Sequence, residues 1–147
     1  MKIGIAKERR PYEARVAASP DTIKKYVAMG FDVAIESGAG LSAAFTDAAL
    51  EAAGAKIVKT AKDALGSADI VLKVRKPIGP GGEVANEADE IALMKSGATL
   101  ISLMEAYKDR ALIDALAAKK ITTFALEMVP RITRAQSMDV LSSQSNL

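Results

Sequence analysis

Residues 69–77 read DIVLKVRKP, and inside them Ile70 to Val74 are apolar but for a single Lys. Five such residues, four of them aliphatic, are too few for a buried helix and suit a strand. A strand with one wet face alternates apolar and polar side chains, whereas a nearly continuous apolar run marks a strand covered on both faces, as in a parallel sheet. Thr99 to Leu103, TLISL, has the same character. Working outward, further strands are predicted at Lys2 to Ala6, Asp32 to Glu36, Lys56 to Val58 and Thr122 to Leu126, with the two central ones spanning Asp69 to Val74 and Thr99 to Leu103.

Helical patterns fill the gaps. Ser19 followed by Pro20 opens a helix whose apolar positions Ile23, Val27 and Met29 end at Gly30, and Thr46 to Ala53 closed by Gly54 repeats the scheme. Shorter helices are expected at Ala61 to Leu65 and from Ala88 to Lys95 before Gly97, and a longer one from Asp109 to Lys119. Strand and helix alternate throughout. Parallel neighbours need crossovers, so the fold class is α/β: a parallel sheet of about six strands with helices on both faces, a Rossmann-like or flavodoxin-like three-layer sandwich. No internal repeat is present, and IGPGGE at Ile78 to Glu83 reads as a loop.

Composition narrows the chemistry. The chain has 147 residues, half of them hydrophobic, enough for one core. Residues 1–136 are expected to form that domain, with 137–147 the start of a helix leading on to another. The chain stops at Leu147 with no Gly, Pro or basic run to close this helix, so a severed helix is expected. There is no Cys and no His, which removes thiol nucleophiles, imidazole bases and the usual metal ligands; no metal site is expected. Twenty basic residues against eighteen acidic ones are scattered along the chain, and aromatics make up 4%, so nucleic acid is not an expected partner. No run of eighteen apolar residues exists and Lys7 interrupts the N-terminal apolar stretch, so a direct membrane span and a secretory signal are not expected and a cytoplasmic location is.

Ligands of open parallel sheets collect beyond the carboxyl ends of the strands. Gly38, Gly40 and Ala43 spell G-x-G-x-x-A after a strand, but the next helix signal waits until Thr46, so an ordinary glycine turn is the better reading and no dinucleotide fingerprint is expected. Lys7, Arg9, Arg10 and Arg15 offer cations for an anionic ligand; the plainer reading is a solvated loop with Glu8 and Glu13 as surface partners. Arg75 and Lys76, stiffened by Pro77, leave the same two readings open. After Pro130 come Arg131, Arg134, Gln136, Asp139 and Ser142. Ser137 is expected to cap a helix starting at Met138, with Asp139 in its first turn, Ser142 on the same face and Arg131 reaching back to Asp139. A cation, an amide, a carboxylate and a hydroxyl there suit a planar polar group such as a carboxamide. A capped surface helix with an ion pair accounts for them as well.

Three segments carry a family resemblance: RAQSMDVLSSQSNL at Arg134 to Leu147, IAKERRPYEARVAASP at Ile5 to Pro20, and IVLKVRKP at Ile70 to Pro77. They resemble the N-terminal part (domain I) of the NAD(H)-binding alpha subunits of proton-translocating NAD(P) transhydrogenases, over essentially the whole chain. Alanine dehydrogenases, of the same alanine dehydrogenase/transhydrogenase N-terminal domain family, share E-x-R-V-A-x-x-P and L-K-V-[KR]-x-P. They carry a substrate-binding Lys where this chain has Arg75 and a catalytic His where it has Glu105. The resemblance implies a Si-/Re-type transhydrogenase passing a hydride directly between NAD(H) and NADP(H), a task of positioning that needs no general base. It implies Gln136 and Asp139 as the catalytic pair, and Arg131, Thr133, Gln136, Asp139 and Ser142 as the NAD(H)-binding set, with NADP(H) held by a partner subunit. Implied partners are the remainder of the alpha subunit and the NADP-binding membrane subunit, through which the protein would sit peripherally at the inner membrane. In that family the glycine fingerprint comes later in the chain, so the fragment alone is expected to be inactive. An amino-acid dehydrogenase domain is the alternative, as is a non-catalytic assembly module. Met138, Val140, Leu141 and Leu147 offer an apolar surface for a homodimer.

Overall fold

The computed structural model describes residues 1–80, 84 and 87–140. The chain runs β1 (Lys2–Ile5), α1 (Pro20–Ala28), β2 (Asp32–Glu36), α2 (Asp47–Ala52), β3 (Lys56–Val58), α3 (Ala61–Leu65), β4 (Ile70–Leu72), α4 (Glu90–Leu93), β5 (Thr99–Ser102), α5 (Arg110–Ala118) and β6 (Thr122–Ala125). All six strands pair in parallel in the order β3-β2-β1-β4-β5-β6. The order reverses between β1 and β4, and at such a switch point a crevice opens beyond the strand ends. The expected sheet, with its helices on two faces, is what forms.

The helix starts follow from capping chemistry. Ser19 Oγ accepts the Thr22 N–H with Pro20 at the first helical position, and Thr46, Thr60, Asp89 and Asp109 cap α2, α3, α4 and α5 in the same way. Two apolar clusters flank the sheet. One joins Ile23 of α1 and Leu50 of α2 to Ile3, Ile5, Val33 and Ile35. The other joins Ala64 and Leu65 of α3, Ile91 of α4, and Leu112 and Leu116 of α5 to Val71 and Leu100. Small residues permit this closeness: a Cβ on Gly4 would lie 2.4 Å from the Ala64 carbonyl oxygen and 2.7 Å from the Ala68 Cβ.

Three expectations need correction. β4 does not reach Val74 but ends at Leu72, because the Val74 N–H is taken at 2.8 Å by the Glu8 carboxylate and not by a neighbouring strand. The helix expected over Ala88 to Lys95 shrinks to Glu90–Leu93, since Asp89 is its cap and Met94 turns to extended backbone as its side chain enters the core. No helix starts at Met138 behind a Ser137 cap: Gln136 to Met138 form a turn, and residues 141–147, over which that helix was expected to run, lie outside the described residues. Ala135 is buried, and its carbonyl accepts both the Met138 and the Asp139 N–H, which prolongs the 3₁₀ turn Thr133–Ala135 past Ser137.

Candidate functional site

The loop after β6 is folded by three local devices. Leu126–Met128 form a 3₁₀ turn. Glu127 reaches back so that its carboxylate accepts the backbone N–H of Met104 at 2.9 Å and of Ala106 at 3.2 Å, tying this loop to the one after β5. Burial pushes the Glu127 carboxyl up, but these backbone donors outweigh it and hold the group below its ordinary range. Arg131 Nε then donates to Asp139 Oδ2 at 3.2 Å, closing the segment on itself. Arg131 is exposed and Asp139 buried, so the carboxylate is the fixed partner.

Arg131, Thr133, Gln136 and Asp139, with Ile132, line one open pocket of about 320 Å³. Four of the five residues expected to form a cofactor site are therefore together; Ser142 lies outside the described residues. Gln136 and Thr133 are exposed and show no hydrogen-bond partner among the described residues, which leaves an amide and a hydroxyl facing outward beside the ion pair. This donor set fits a carboxamide, which offers one acceptor and two donors. Asp139 also stands between this pocket and a second of about 450 Å³, because its neighbours Met138 and Val140 line the latter with Arg15, Phe45, Lys73 and Leu103. That cavity spans the carboxyl ends of several strands.

The glycine turn after β2 holds no phosphate cradle. Asp47 accepts the Gly38 N–H at 2.9 Å and the Ser37 hydroxyl at 2.6 Å, so the donors an anion would need are already engaged. The arginines of the first loop are internal fasteners. Arg9 pairs with Glu36 and, at 2.8 Å, with Glu87; Arg10 donates to the carbonyls of Lys76 and Pro77 at 3.1 Å each. Lys76 pairs with Asp109 at 2.6 Å. Arg15 forms a two-pronged pair with Glu13, which holds that carboxyl below its ordinary range against the opposing effect of burial. Arg75 lines a pocket of about 310 Å³ with Arg15, Glu105 and Glu127.

The reading of Glu8 and Glu13 as surface partners is overturned, since the Glu8 side chain is 3% and the Glu13 side chain 4% exposed. The feature sequence reasoning missed is the ion cluster around Glu8. Lys73, the odd residue of IVLKV, is buried; its Nζ lies 3.0 Å from Glu90 and 3.5 Å from Glu8. Burial pushes the Glu8 carboxyl above its ordinary value and the nearby Glu90 adds to the push, against Lys73 and the Val74 N–H. The signal was present: a Lys inside a doubly covered strand demands a buried carboxylate.

The family model described as the alanine dehydrogenase/PNT N-terminal domain matches residues 4–147. The chain belongs to that family. Among curated relatives, this alanine dehydrogenase/PNT N-terminal domain is 54% identical, over its whole length, to the first part of the NAD(P) transhydrogenase alpha subunit of Rhodospirillum rubrum, of which it covers 37%. Among solved structures, it superposes on the transhydrogenase from Sinorhizobium meliloti with a TM-score of 0.88 at 47% identity, covering 99% of this chain and 41% of that one. An L-alanine dehydrogenase gives a TM-score of 0.81 at 33% identity, over 96% of this chain and 36% of that one. The domain thus spans a little over a third of the curated relative's length.

Proposed function

We propose that this domain serves the NAD(H)-binding component of a proton-translocating transhydrogenase, where it positions the nicotinamide for direct hydride transfer to NADP(H) held by a partner subunit. The observation that carries the reading is the shared pocket of Arg131, Thr133, Gln136 and Asp139 at the carboxyl edge, in a chain that has no His. The cofactor, when bound, supplies the hydride; the protein's share is placement. Asp139 fixes the Arg131 guanidinium, Gln136 presents an amide to the carboxamide or to the approaching second nucleotide, and Thr133 adds a hydroxyl to the rim. Ser142 joins this set by family resemblance. Residues 137–147 lead toward the rest of the alpha subunit, which completes the nucleotide site, so the domain alone is inactive. Homodimerisation through the region of Met138 and Val140, and attachment to the inner membrane through partner subunits, belong to the same proposal. No helix among the described residues is long and apolar enough to cross a membrane.

Asp139→Asn and Gln136→Ala in the assembled transhydrogenase should each slow hydride transfer by about a hundredfold, the scale expected when a reacting group is misplaced by about an ångström. Unchanged rates in both would remove the assignment. The likeness to the L-alanine dehydrogenase structure supports a second reading, which NAD-dependent oxidation of alanine by the whole protein would restore.

A further inference from the structure

Lys73 stands between two carboxylates that it does not serve equally. Its ammonium donates to Glu90 Oε1 at 3.0 Å but stays 3.5 Å from Glu8 Oε2, and that oxygen is fully buried with no hydrogen-bond partner. The other Glu8 oxygen accepts the Val74 N–H, while Glu90 Oε2 accepts the Ile78 N–H at 2.9 Å. The surrounding charges come from several elements. Glu36 closes β2, Glu87 precedes α4, and Arg9 engages both while lying 3.8 Å from Glu90. Arg15, in the same loop as Glu8, is already paired with Glu13. The enclosed set of Glu8, Glu36 and Glu90 therefore has one carboxylate more than its cations, Lys73 and Arg9. Buried excess charge is relieved most directly by a proton on the oxygen that lacks a donor.

We propose that Glu8 is a proton-operated latch on the carboxyl edge of the sheet, leaving Lys73 to Glu90 while it holds a proton and drawing Lys73 away once that proton passes to solvent. In the protonated state Glu90 is held by one ammonium hydrogen bond and keeps the Ile78 N–H, so the start of α4 is pinned to the chain leaving β4. In the ionised state two carboxylates compete for one ammonium, and the Ile78 contact slackens. Lys73 also lines the 450 Å³ cavity, so the latch passes solution pH to that cavity's wall. The latch acts in the same way whichever nucleotide the domain serves.

Two measurements on the purified protein test it. Hydrogen exchange of the Ile78 amide, read by NMR as a protection factor, should fall about tenfold per pH unit from the ordinary carboxylate range up to the native titration point of Glu8, as a one-proton link requires, and then level off. In Glu8→Gln, a permanently neutral isostere, the profile should be flat; a wild-type profile in that variant, or a flat profile in the wild type, overturns the proposal. Infrared spectra of wild-type protein with isotopically labelled glutamate need no variant. They should show the carbonyl stretch of a protonated buried carboxyl below the native titration point of Glu8, vanishing above that point, where the Ile78 protection levels off, and its absence also overturns the proposal.

Discussion

Lys73→Met removes the only ammonium that Glu8 and Glu90 meet among the described residues, and its cost follows from the geometry. At an effective dielectric constant of about 20, the 3.0 Å contact with Glu90 represents a gross attraction on the order of 5 kcal/mol. Arg9 remains at 3.8 Å from Glu90 and the backbone N–H of Ile78 remains bonded to it, so part of the compensation survives. Breaking a buried ion pair from one side costs about 3–5 kcal/mol, and these residual partners place the loss near about 3. For a domain of this size that is roughly 6–12 °C in Tm. Urea unfolding should show the midpoint falling with an unchanged slope, since no large surface is newly exposed. Adding Glu8→Gln and Glu90→Gln to Lys73→Met should recover most of the loss, because a neutral cluster keeps its backbone hydrogen bonds without buried charge. A loss under about 1 kcal/mol for the single change, or no recovery in the triple, would refute the electrostatic account of this cluster.

Gly4→Ala should destabilise by about 3 kcal/mol, the upper range for overpacking, because the clash is with the α3 backbone, which cannot step aside; denaturant titration reads this directly. The Glu13–Arg15 pair contributes stability above the ordinary carboxylate range, and that contribution is lost as pH falls through the depressed native value of Glu13. Arg15→Met should therefore flatten the acid side of the stability profile below about pH 5, as followed by Tm against pH, with the effect softened by the half-exposed guanidinium.

How much of this is readable in the chain varies with the range of the interaction. Ser19–Pro20 marks a helix start because a cap and its donor lie within one turn, and the structure uses it so. The doubly covered strands are readable because burial on both faces leaves an apolar run. The Arg131–Asp139 contact is readable because the loop between them is short. The turn at Gln136 to Met138 is not, since the deciding factor is burial of Ala135, which extends the preceding 3₁₀ turn past Ser137.

Composition and local pattern thus determined the class of fold, the strand and helix order, the lack of a glycine fingerprint and the polar loop at Arg131 to Asp139, because each rests on neighbours in the chain. The roles of Glu8, Glu36, Lys73 and Glu90 were settled only in three dimensions. Their loops and strands meet at the switch point between β1 and β4, and a charge's meaning depends on how far water has been excluded and which opposite charge folding has brought within reach.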